Sequence, residues 1–96
     1  MSENAATLPP ATFEFLVASL RFQAEVSMGL LKMSEDSEPD PEAARHFIDL
    51  LAMLEEKTQN NLSLEERRML ENSLTELRFR FVQVAGEDSK SRIIMP

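Results

Sequence analysis

His46 is the only imidazole in the chain, with Glu42 four residues before it and Asp49 three residues after. A base oriented by a carboxylate is two-thirds of a nucleophilic triad. The third part is missing, because there is no Cys and no glycine-flanked serine elbow, and nothing supplies an oxyanion hole. Carboxylate metal sites in helical bundles use a Glu-x-x-His pair on each of two helices. Glu42 and His46 are one residue too far apart for that pair, and the approximation occurs once. The acidic run Glu35, Asp36, Glu38 and Asp40 lacks the glycine and the alternating oxygen ligands of a calcium loop. With Gly29 and Gly86 the only glycines, no phosphate cradle can form. The expectation is a solvated or locally paired His46 and a solvated acidic connector. No catalytic residue, metal ligand or cofactor is expected.

Four arginines, Arg67, Arg68, Arg78 and Arg80, concentrate toward the end of the chain, where nucleic acid would need them. The same stretch carries Glu65, Glu66, Glu71 and Glu76, so its charge cancels. Arg67–Glu71 and Glu76–Arg80 stand at i,i+4, and ordinary surface ion pairs account for them. The whole chain, with Lys+Arg 10 against Asp+Glu 17, carries a net charge of −7, which disfavours DNA, RNA and acidic lipid. No apolar run approaches the roughly 18 residues of a membrane span. No Lys or Arg precedes Arg21, and Glu3 stands where a signal peptide would be basic. No nucleic-acid or membrane partner is therefore expected, and the expected location is cytoplasmic. The absence of Cys excludes a disulfide scaffold and any thiolate chemistry. At 43% hydrophobic residues the 96-residue chain can still build one core.

Three apolar-periodic segments must position these residues. The first runs from Thr12, a candidate N-cap with Glu14 in the first turn, to about Met33. Its Phe13, Val17, Leu20, Ala24, Met28 and Leu31 gather on one face. Phe15, Phe22, Val26, Leu30 and Met33 gather on a second, roughly opposite face, and a helix apolar on two sides is covered on two sides. Gly29 falls inside this segment, either for close approach of another helix or as a tolerated cost of about 1 kcal/mol. The second segment opens on Asp40-Pro41-Glu42, an N-cap acceptor followed by a proline preset for the first helical position. Ala44, Phe47, Ile48, Leu51, Leu54 and Thr58 form its stripe, and it should stop near Gln59-Asn60-Asn61. Ser63-Leu64-Glu65-Glu66 is a capping box. After it Leu70, Leu74, Leu77, Phe81 and Val84 step as an antiparallel helix seam. Leu77, Phe79 and Phe81 also alternate with Arg78 and Arg80 as in a strand, but a lone strand has no partner, so a helix is expected. A linker of about four residues makes the second and third helices a hairpin. The six Met are expected as flexible core filler.

The expected fold is all-α, an antiparallel hairpin of helices 2 and 3 packed on helix 1. A flexible arm (1–11) and a flexible tail (87–96, after Gly86 and containing Ile93-Ile94-Met95) flank a single domain at 12–86.

The stretch Ile48-Asp49-Leu50-Leu51-Ala52-Met53-Leu54-Glu55-Glu56-Lys57-Thr58, followed by Asn61-Leu62-Ser63 and Glu66, resembles a bacterial family of small uncharacterised proteins, domain of unknown function eighteen forty-four. Phe15-Leu16-Val17-Ala18-Ser19-Leu20 with Gln23-Ala24, and Leu77-Arg78-Phe79-Arg80-Phe81-Val82, extend the likeness over most of 12–84. The family usually has a Gly before the Asn-Leu pair, where this chain has Asn60, so an Asn-based cap is expected there. The resemblance implies a small all-helical domain and transfers no reaction, ligand or catalytic residue.

The functional expectation is a non-catalytic cytoplasmic interaction or scaffold protein, a homodimer formed through Phe15, Phe22, Val26, Leu30 and Met33 of helix 1. An unidentified protein partner could instead cover that face. The alternative is a small carrier whose Phe/Met-lined pocket holds an apolar ligand.

Overall fold

A computed structural model describes residues 8–35 and 38–94, with side chains described to residue 86. It contains three helices, α1 (Phe13–Ser27), α2 (Pro41–Lys57) and α3 (Leu64–Ile94), and no strand among the described residues. Each helix packs against the other two.

All three helices start where local chemistry says they should. The Thr12 hydroxyl accepts from the Phe15 N–H at 3.0 Å, and Asp40 Oδ1 accepts from the Ala43 N–H at 3.2 Å. Pro41 follows Asp40 at the first helical position, where its missing N–H costs nothing. The capping box closes in both directions. The Ser63 N–H donates to Glu66 Oε1 at 2.8 Å, and the Glu66 N–H donates to Ser63 Oγ at 3.1 Å. Each cap satisfies donors that the first helical turn leaves unpaired.

The ends differ from expectation at two places. The first helix stops at Ser27, not near Met33. Gly29 takes φ +85°, the Gly29 N–H donates to Val26 O at 3.0 Å, and the Leu30 N–H donates to Glu25 O at 3.0 Å. This pair of bonds is a Schellman cap, in which a left-handed glycine turns the chain off the helix axis. Gly29 is thus a terminator rather than an interior helical residue. The Asp40 N–H then donates to Ser27 O at 2.7 Å, tying the start of α2 to the end of α1. At the other end, the backbone of α3 runs through Gly86 to Ile94, past the point where the helix was expected to stop. Gly29 is the only glycine with positive φ, so Gly86 makes no left-handed turn. Residues 1–7 of the expected arm, Asp36 and Ser37 in the connector, and Met95 and Pro96 lie outside the described residues. Leu8 to Ala11 are exposed.

The core sits between the three helices. Val17, Ala24 and Met28 come from α1 and its cap, Ala44, Ile48 and Leu51 from α2, and Leu70, Leu74 and Leu77 from α3. Phe13, Leu20, Phe47, Leu54, Phe81 and Val84 pack around them, partly buried. The expected inward stripes are the ones that go inside, except Leu31, which lies past the cap and is 40% exposed. Between α2 and α3 the chain spends six residues, 58–63, somewhat more than expected. Asn60 takes φ +65° there, the left-handed conformation that asparagine tolerates. The Thr58 hydroxyl donates to Leu54 O at 2.7 Å across the end of α2.

Candidate functional site

The outward side of α1 is where the packing leaves apolar surface over. Turning 100° per residue, Val17 and Ala24 point inward, which places Phe15, Ser19 and Phe22 on the opposite side, with Ala18 at its edge. Phe15 is 47% exposed and Phe22 45% exposed. With Ala18, Ser19 and Gln23 they line an open hollow of about 350 Å³. Leu16, 43% exposed, borders the same side. None of these residues carries a charge. Val26 is partly buried and borders a separate notch with Gly29, Leu31, Lys32, Glu38 and Pro39.

The five residues expected on one face therefore divide. Phe15, Phe22 and Val26 belong to α1. Leu30 and Met33 follow the Gly29 cap and lie on the connector, 39% and 64% exposed, so they do not continue the helical stripe. The apolar periodicity through Leu30 and Met33 concealed the break. Leu16 was missed because it belongs to neither of the two stripes.

The charged flank of α1 is used internally. Arg21 Nε donates to Glu25 at 3.1 Å, its Nη1 donates to Ser73 Oγ at 3.4 Å, and its Nη2 pairs with Glu76. Glu76 also reaches Arg80 at 4.0 Å. Burial would lower the Arg21 pKa, but hydrogen bonds to Glu25 and Glu76, with their charges, outweigh it and leave it raised. Ser73 is buried and would lack a side-chain partner without Arg21. This node joins α1 to α3, and nothing local in the sequence announced it because its members are 52 and 55 residues apart.

The other candidates from the sequence do not converge on a reaction centre. His46 is exposed, its ring edge-on to Phe47 at 5.5 Å. Among the described residues, no three His, Asp or Glu side chains come together as a metal site. The expected Arg67–Glu71 ion pair does not form, whereas Glu76–Arg80 does. Arg67 instead lines a polar notch of about 250 Å³ at the hairpin end with Glu55, Gln59 and Asn60. Phe79 and Val82 stand outward on α3, 63% and 67% exposed. Phe and Met side chains do not share one described hollow. Met28 is in the core, Met33 and Met53 are exposed, and the hollow holding Phe15 and Phe22 contains no Met.

The family described as Domain of unknown function (DUF1844) matches residues 10–83. The chain belongs to this family. The matched span takes in α1, α2 and the greater part of α3, so the Schellman cap, the hairpin and the Arg21 node all lie within the DUF1844 domain. No curated protein and no solved structure matches the chain. No helix of the described residues is long and apolar enough to cross a membrane.

Proposed function

We propose that this DUF1844 protein is a non-catalytic, cytoplasmic helical interaction module that self-associates through the outward face of α1. The observation that carries the reading is a helix apolar on two opposite sides. Its inner side, Val17 and Ala24, is sealed by α2 and α3, while its outer side leaves two phenylalanines nearly half exposed and no charge among them. Covering such a face recovers hydrophobic free energy that a monomer forgoes. The interface is smaller than the original stripe, since Leu30 and Met33 have left the helix. Substituting Phe22→Asp places a charge on the face without touching the core. Static light scattering on concentrated protein is expected to show a wild type heavier than 10.9 kDa and a Phe22→Asp variant at 10.9 kDa with unchanged helical circular dichroism. A variant as heavy as the wild type would move self-association to another surface.

A further inference from the structure

Resting on that reading, we infer that the occupant of the α1 face is a second copy of the same helix, antiparallel, on a two-fold axis passing between Ala18 and Ser19. The argument begins with spacing. Phe15 and Phe22 stand at equal distances on either side of the Ala18-Ser19 pair, in the order Phe-x-x-Ala-Ser-x-x-Phe. Seven residues are close to two turns, so both rings project from nearly the same side, about 10 Å apart along the axis. A two-fold interface must be self-complementary, each patch meeting itself in reverse. Reversing this pattern about its midpoint returns it: large, small, small, large. Phe15 of one copy then lies level with Phe22 of the other. The small Ala18 and Ser19 let the two backbones approach at the axis. A parallel pair in register is also two-fold, about an axis along the helices, but it sets Phe15 against Phe15 and Phe22 against Phe22 and aligns the two helix dipoles, which the antiparallel pair opposes.

Charge confines a second copy to this side of the helix. Two copies at net −7 repel one another across most of their surface. The three charged residues of α1, Glu14, Arg21 and Glu25, fall on one flank, the one whose Arg21 reaches α3. Between Phe15 and Gln23 the outward side brings no ionised group against its own image.

The area at hand is modest. A phenylalanine side chain presents on the order of 150–250 Å². Phe15 and Phe22 at 47% and 45% exposure, with Leu16 at 43%, therefore leave roughly 300–400 Å² for each copy to bury once the small neighbours are included. The total of about 600–800 Å² lies below the roughly 1,200 Å² of a standard stable interface. The dimer is accordingly expected to be weak and to form only in concentrated protein.

The Cys-free chain makes a clean test by disulfide trapping. Ala18→Cys, beside the axis, is expected to oxidise to a covalent dimer by itself. Phe15→Cys and Phe22→Cys are each expected to stay monomeric alone and to link when mixed. Like positions in the antiparallel pair are offset by about 10 Å, beyond the roughly 7 Å that a disulfide spans between Cα atoms. Phe15→Cys linking to itself, or Ala18→Cys failing to link while wild type still dimerises, overturns this register and leaves self-association standing. A wild type that stays monomeric at millimolar concentration overturns both.

Discussion

Two glycines with opposite backbone roles show how much a single residue decides here. Gly29 holds φ +85°, and a Cβ built on it would meet Pro39 Cγ at 3.0 Å. Gly29→Ala should therefore cost about 1–2 kcal/mol, from the left-handed conformation and a crowded Pro39. Urea unfolding reads this directly, and an unchanged midpoint would mean that the chain does not turn at Gly29. Arg21 is the other decisive residue. Arg21→Met should cost about 1 kcal/mol, since it removes partly exposed ion pairs and strands the buried Ser73 hydroxyl. Arg78→Met, at an exposed position, should leave the urea midpoint alone. Equal losses at the two positions would deny Arg21 its joining role. What was legible at this scale was whatever acts within a few residues. Thr12, Asp40 and Ser63 announced their caps because a capping oxygen serves N–H groups two or three positions away. The Arg21–Ser73 contact spans half the chain, and only folding brings it together.

At the scale of elements, α3 is the longest, about 46 Å at 1.5 Å per residue, against about 22 Å for α1. Its seam Leu70, Leu74, Leu77 is buried, and Phe81 and Val84 are partly covered. The antiparallel spacing was therefore readable, as was the hairpin. The length was not, because a glycine followed by polar residues looks like a terminator and the two glycines cannot be told apart by type. The left-handed φ distinguishes them, and it appears at Gly29, inside an apparently continuous apolar pattern. At Gly86 a Cβ would meet nothing within 4 Å and the backbone is not left-handed. Gly86→Ala is expected to raise stability by about 0.4–1 kcal/mol through a less disordered unfolded chain. A loss instead would place a helix stop at Gly86. Thermal melts of the two alanine variants, Gly29→Ala and Gly86→Ala, should thus move in opposite directions.

The whole molecule is a small acidic bundle whose first helix is apolar on both sides. Its inner side forms core with α2 and α3, and its outer side is left with Phe15 and Phe22. The inner stripe could be read from the sequence because its Val17, Ala24 and Met28 repeat with the helical period. The outer stripe could be read only in part, since the period ran on through Leu30 and Met33 after the helix had ended. Because two copies at net −7 repel, added salt should strengthen their association. Going from about 50 mM to 500 mM NaCl, screening shortens and an apolar contact is left in place. An association that weakened with salt would point to ion pairs rather than to the face of α1. Sedimentation equilibrium of the wild type, from about 10 µM to 1 mM, is the most direct measurement, as it follows mass over a wide range of concentration. The weight-average mass should climb from 10.9 kDa toward twice that value. A mass fixed at 10.9 kDa across the series would contradict self-association through α1.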